Sequence, residues 1–191
     1  MRTANEANKE KFIKAAVSEL EEHGVSDFSI RRVAKRCEVS CAAPYKHFES
    51  RNHLMLEVIR HINKKWLEIW QKTVDENKDE SVHSQIVALC MAYITFLCTY
   101  PEYQTILNMN DRAFPAQMLE EKGKLSAATE KLIEDYCTSV NMKDDVRKRK
   151  QFVIRSMLFG ASIMINSGIL PFNSDTMEMI KENIEREFQI A

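Results

Sequence analysis

The sequence has little glycine and little proline, four of each in 191 residues. Sheets and long loops draw on both for their turns, so this scarcity argues against a β-rich fold and for helices joined by short connections. Cysteine is present but disorganised: Cys37, Cys41, Cys90, Cys98 and Cys137 form an odd set without regular spacing. That pattern excludes a disulfide framework and predicts reduced thiols. No uninterrupted apolar run approaches the ~20 residues needed to span a bilayer, and the first residues, Met-Arg-Thr-Ala-Asn-Glu, are polar. A soluble, cytoplasmic chain with no membrane contact is the expectation. Also missing are a phosphate-binding glycine loop, a zinc-protease pair and a nucleophile beside an oriented base. Cys37 and Cys41 lie close together, but no four-ligand set accompanies them. No catalytic residue, metal ligand or cofactor is therefore expected, and an enzyme is not.

Charge is the first positive signal. The formal net charge is only −1, but it divides unevenly. Residues 1–28 hold four basic and six acidic side chains, residues 29–65 hold nine and three, and residues 66–191 hold fourteen and nineteen. His47, His53 and His61 also fall in the basic stretch. A basic head on an acidic body is the footprint of a polyanion-binding protein, though a merely solvated basic surface has the same composition.

Periodicity fills in the all-α architecture. Phe12, Ile13, Ala16, Val17 and Leu20 recur at helical spacing and stop at His23-Gly24, where glycine can end a helix in the left-handed conformation. Ser29 can cap a short second helix with inner face Ile30, Val33, Ala34 and Cys37. After a turn at Glu38-Val39, Ser40 can cap a third helix from Cys41 to about Phe48. Pro44 would be its fourth residue and would remove only the first internal bond, the one to the Ser40 carbonyl. Two short helices on a longer first one make a helix-turn-helix head over residues 1–50, with the third helix as reader.

Residues 51–191 then read as a helical regulatory and dimerisation body. Ser50 can cap a long connecting helix that carries Leu54, Val58, Ile62, Trp66 and Ile69 and runs to about Val74. Further helices are expected from Ser81 to Tyr100, after Pro115 to about Val140, from Asp144 to Asn166 and from Asp175 to Phe188, with a Pro101 boundary and a shorter segment to about Asn108 between the first two. Apolar residues wrap most of the circumference between Phe152 and Ile165, so that helix needs cover on more than one side. The last helix carries one stripe, Met177, Ile180, Ile184 and Phe188. Paired across a two-fold axis, the two helices would form a four-helix homodimer interface through Met157, Gly160, Ala161, Met164, Ile180, Ile184 and Phe188. The same wrapping also suits the central core helix of a single body.

Residues 28–58, FSIRRVAKRCEVSCAAPYKHFESRNHLMLEV, place Val39-Ser40, Tyr45, His47-Phe48 and Leu54 at the spacing of a known signature. With helix one, this resembles the TetR/AcrR family of bacterial transcriptional regulators over about 50 N-terminal residues. The body matches that family only in general helical layout, including the Tyr100-Pro101-Glu102 break. The resemblance implies that Ser29 and Arg31 meet the DNA backbone or an adjacent base, and that Ser40, Cys41, Ala42 and Ala43 enter the major groove. It also implies that Tyr45 and His47 bond phosphate oxygens, that Lys46 meets a phosphate or a base edge, and that Arg51 grips the backbone. Val39, Phe48 and Leu54 would be core. Two departures stand out: Glu38 replaces the glycine usual in the turn, and Cys41 stands where a basic or polar residue is common.

The resemblance further implies a homodimer on a roughly palindromic double-stranded DNA operator, most simply a repressor released by a small-molecule effector. Trp66, Trp70, Tyr93, Phe96, Tyr103, Met109, Phe114, Met118 and Phe159 would line the effector pocket. Ordinary cores are built from the same residue types. Cys41, at a helix start among Arg and Lys, fits either a thiol-sensitive reader or a passive small contact. The alternative function is a helical interaction module whose basic head binds an acidic protein partner.

Overall fold

A computed structural model describes residues 4–108 and 115–188, and every regular element among them is helical. In chain order these are α1 (Ala4–His23), α2 (Ile30–Arg36), a 3-10 turn (Pro44–Lys46), α3 (Arg51–Glu76), α4 (Val82–Thr99), α5 (Pro101–Leu107), α6 (Ala116–Ser139), α7 (Asp144–Asn166) and α8 (Ser174–Phe188). The boundaries follow local chemistry. Gly24, at φ +70°, closes α1 by donating to the Leu20 carbonyl at 2.8 Å. Ser50 Oγ accepts the His53 amide at the start of α3, and Ser81 Oγ accepts the Ser84 amide at the start of α4. Pro101 opens α5, where a missing N–H costs nothing.

The chain forms two compact units, residues 1–65 with 102–125 and residues 66–101 with 126–191. Neither follows the 1–50 and 51–191 division, because the first half of α3 buries Leu54, Met55, Val58, Ile59 and Ile62. Their burial makes that half of α3 part of the first unit's core, along with Phe12, Ala16, Leu20, Val33, Ala34 and Phe48. α3 and α6 each contribute residues to both units.

In the second unit, α4, α7 and α8 pack on one another. α4 has a mean hydropathy of 1.6 over 18 residues, long and apolar enough to cross a membrane by length and composition alone. Ser84, Gln85 and Thr95 interrupt the run and hide it from a search for unbroken apolar stretches. Here it is a core helix, burying Ile86, Val87, Cys90, Ile94 and Leu97.

The dimer surface expected from α7 and α8 needs correction. Ile180, Ile184, Phe188 and Ala161 lie in the core of their own unit with Ile86, Ile133 and Ile154, and the Tyr136 hydroxyl donates to the Phe188 carbonyl at 3.0 Å. A side chain buried this way has no area left for a second copy. Met157 packs against the same core, whereas Gly160 is half-buried and Met164 is exposed. The apolar residues that α7 presents outward are Phe152, Phe159 and Ile163, and Ile169, Phe172 and Met179 are exposed beyond them.

Candidate nucleic-acid interface

The head is built on α1. Its buried Phe12, Ile13, Ala16, Val17 and Leu20 belong to one core with the inner face of α2, namely Ile30, Val33 and Ala34. Lys11 Nζ donates to the Cys37 carbonyl at 2.9 Å and so holds the last turn of α2 to α1. Phe48 is fully buried and meets Phe12 edge-on, with ring centres 6.2 Å apart. This anchor, worth about 2 to 3 kcal/mol of burial, fixes the far end of the segment that carries the expected reader.

That reader is shorter than its sequence predicts. Instead of an α-helix from Cys41 to Phe48, residues 41–43 form a turn and Pro44–Lys46 a single 3-10 turn. Pro44 has no N–H for the Ser40 carbonyl, which accepts from Ala43 at 2.9 Å instead. Lys46 then donates to Ala43, and His47 to Pro44, so three-residue bonds propagate through the segment. The preceding turn explains the unusual Glu38: it sits at φ +57°, the left-handed region that glycine occupies freely.

Ser40, Cys41, Ala42, Tyr45 and Lys46 are exposed, Tyr45 at 53% of its surface. Ala43 and His47 are half-buried, and the His47 ring lies 5.5 Å from that of Phe12. Val39, expected in the core, is 40% exposed because the left-handed Glu38 turns it outward, while Phe48 and Leu54 are fully buried. Val39 joins Arg31, Lys35 and Cys41 around a cavity of about 450 Å³. Arg31, Lys35 and Lys46 make no ion pair among the described residues.

Two of the expected DNA contacts also make internal bonds, Ser29 through its backbone amide and Arg51 through its guanidinium. Ser29 stands at the N-cap of α2, but its side chain makes no capping bond, and its amide donates to Glu19 Oε1 at 3.2 Å. Arg51 donates from Nε to the Phe28 carbonyl at 3.1 Å and from Nη2 to the Val25 carbonyl, with its guanidinium over the Phe28 ring. It thus ties the α1–α2 loop to the start of α3.

Sequence reasoning passed over the acidic partners of the head. Glu19 is a buried carboxylate among Arg32, Arg36 and His23. It follows Phe12 and Ala16 on the inner face of α1, so a carboxylate at an apolar position was the signal available. Glu57 receives Lys9 at 2.5 Å and Arg60 at 2.7 Å. Burial would raise its carboxyl pKa, but hydrogen bonds from Lys9 and Arg60 outweigh it and hold the pKa below its ordinary value. Asn63 Nδ2 donates to the Glu121 carbonyl at 2.7 Å, which joins α3 to the start of α6 within the same unit.

The residues expected to line an effector pocket divide between the units. In the second, Trp66 meets Tyr93 edge-on at 5.0 Å and Phe96 at 5.5 Å, and Tyr93 meets Phe159 at 6.4 Å. Burial pushes the Tyr93 hydroxyl up to about 12. Trp70, one turn beyond Trp66, has a buried Nε1 without an acceptor among the described residues. Tyr103 and Met118 are buried in the first unit. Met109 and Phe114 lie outside the described residues.

Residues 12–58 match the family model described as bacterial regulatory proteins, tetR family. Solved structures share the fold. A TetR family transcription regulator from Marinobacter aquaeolei VT8 superposes with a TM-score of 0.79 at 13% identity, covering 98% of each chain. A protein of unknown function from Rhodococcus sp. RHA1 gives 0.73 at 21% identity over 93% of each. The regulator FadR from Bacillus subtilis, in complex with stearoyl-CoA, gives 0.69 at 11% identity over 93% of this chain and 96% of the other. No curated protein matches the chain by sequence.

Proposed function

We propose that this chain, a TetR-family transcriptional regulator by its head and its fold, acts as a cytoplasmic homodimer that represses transcription until a small molecule releases it from a roughly palindromic operator. One observation carries the reading: the exposed run Ser40-Cys41-Ala42, followed by Tyr45 and Lys46, stands beside Arg31 and Lys35, which make no ion pair among the described residues, on a head anchored by Phe48. Small side chains admit close approach to base edges, and the flanking cations and hydroxyl supply phosphate contacts that set register. Ser29, Ala43 and His47 border this surface. Arg51 contributes by holding the loop in front of α2.

The dimer forms through the outward apolar residues of α7, Phe152, Phe159 and Ile163, beside Gly160 and Met164. Phe152 leaves 72% of its surface exposed, a large apolar area for a single chain to leave in water. Two heads on a two-fold axis then read half-sites in successive major grooves, about 34 Å apart.

The effector is an apolar molecule with a hydrogen-bond acceptor. The Trp66, Tyr93, Phe96 and Phe159 rings supply apolar lining, and Trp70 Nε1, buried without an acceptor among the described residues, supplies a donor. Stearoyl-CoA is a reasonable first probe because the Bacillus subtilis relative was solved with it. Binding would shift the spacing of the heads.

The test is duplex affinity against salt. Neutralising several phosphates per head makes affinity fall steeply as salt rises. Absence of duplex binding, with retention of an acidic protein partner that duplex does not displace, would favour the interaction module instead.

A further inference from the structure

Four cations crowd the seven residues of α2: Arg31, Arg32, Lys35 and Arg36. They fall into two i,i+4 pairs, Arg31 with Lys35 and Arg32 with Arg36, about 100° apart around the helix. A bare helix of this composition would offer both pairs to any polyanion. The structure treats them differently.

Arg32 and Arg36 turn toward α1 and the loop. The Glu19 side chain there has no solvent exposure. Its Oε1 accepts Arg32 Nε at 2.5 Å and the Ser29 amide at 3.2 Å, and its Oε2 lies 3.4 Å from Arg36 Nε and 3.9 Å from His23 Nε2. One outer nitrogen of each is also taken: Arg32 Nη2 donates to the Asp27 carbonyl and carboxylate, and Arg36 Nη2 to the Glu22 carboxylate. Arg36 stays exposed despite these contacts, as Arg31 and Lys35 are, but Arg31 and Lys35 make no ion pair among the described residues. A buried carboxylate is costly unless paired, and an apolar side chain of similar volume often serves stability as well. What the carboxylate adds at this position is selection among cations.

We propose that Glu19 is a positioning residue for DNA reading. It draws Arg32 and Arg36 to the α1 side and holds the Ser29 amide at the entrance of α2, so that Arg31 and Lys35 are the cations α2 offers to the duplex. The assignment rests on the DNA-binding reading above. Its consequence is specificity. Arg32 also borders the cavity lined by Arg31 and Lys35, so a released Arg32 reaches the duplex side without any movement of α2. A further guanidinium there, with Arg36 loosened beside it, would strengthen phosphate binding on every sequence and dilute preference for one.

The experiment measures binding of the full-length protein to its enriched fragment and to a scrambled duplex of equal length, from about 50 to 300 mM salt. Glu19→Gln keeps the side-chain shape and the acceptor for Ser29 but removes the charge. Its expected result is a specific-to-scrambled affinity ratio reduced at least tenfold, with the salt slope on scrambled duplex steeper by about 1 to 2 per head. Arg32→Gln is expected to leave the wild-type slope unchanged, whereas Arg31→Gln lowers it by about 1 per head. A folded Glu19→Gln protein with wild-type ratio and slope would overturn the assignment. So would an Arg32→Gln slope as shallow as that of Arg31→Gln, which decides the matter even if Glu19→Gln fails to fold. Wild-type protein without salt-dependent duplex affinity would instead overturn the DNA reading, and this assignment with it.

Discussion

Arg51 Nε donates to the Phe28 carbonyl at 3.1 Å across 23 residues of sequence, and the same guanidinium reaches the Val25 carbonyl. One side chain at the start of α3 thereby satisfies the loop that sets the entry of α2. Arg51→Met is expected to lower stability by about 2 kcal/mol, the size of a lost hydrogen bond to a charged group, in urea melts without DNA. An arginine devoted to phosphate alone would leave that melt unchanged.

Glu38 carries left-handed backbone, which costs a non-glycine residue roughly 1 to 2 kcal/mol, partly offset in glycine by its freer unfolded chain. Glu38→Gly is expected to stabilise the protein by about 0.5 to 1 kcal/mol. It also removes an anion from the cavity shared by Arg31 and Lys35, so duplex affinity should rise with the melting temperature. A lower melting temperature would mean that the turn is not left-handed.

Glu57 gives the first unit an acid-sensitive contact. Its folded carboxyl is depressed by Lys9 and Arg60 against the opposing effect of burial. Its contribution is therefore complete above the unfolded value, about 4.3, and is lost as pH falls through the lower folded value. Thermal melts should show stability declining below about pH 4, and Glu57→Gln should flatten part of that decline. The same acid slope in both proteins would show that Glu57 is not held as described.

The cysteines should separate cleanly by reactivity. Cys37, Cys90 and Cys137 are buried, and burial pushes the Cys90 thiol up to about 12 and that of half-buried Cys98 up to about 11. Cys41 is exposed at the edge of the proposed groove contact. N-ethylmaleimide should label Cys41 first and weaken duplex binding about tenfold, equivalent to about 1.4 kcal/mol, with Cys41→Ala protecting. Unchanged affinity after stoichiometric labelling at Cys41 would remove it from the interface.

Much of the fold was legible because the decisive signals are local. Gly24, Ser50, Ser81 and Pro101 end or begin helices by chemistry that needs no tertiary partner. What covers an apolar stripe is not local. Ile180, Ile184 and Phe188 mark one face of α8, but periodicity has no means of telling a neighbouring helix of the same chain from a helix of a second copy. The reader shows a related limit. Pro44 was visible as a lost hydrogen bond, whereas the shift to three-residue bonds at Ala43, Lys46 and His47, closed by the four-residue bond from Phe48 to Pro44, depends on how these amides share the remaining carbonyls. Glu19 escaped because carboxylates are normally assigned to water, and only the approach of Arg32 and Arg36 gives one a place inside.

The central claim is tested most directly by letting the purified protein select fragments from genomic DNA and sequencing what it retains. Enrichment of one roughly palindromic site, with half-sites about one helical turn apart, is the expected result, and Lys46→Gln should weaken retention without changing the sequence selected. Retention of DNA with no enriched sequence, or of none at all, would contradict it.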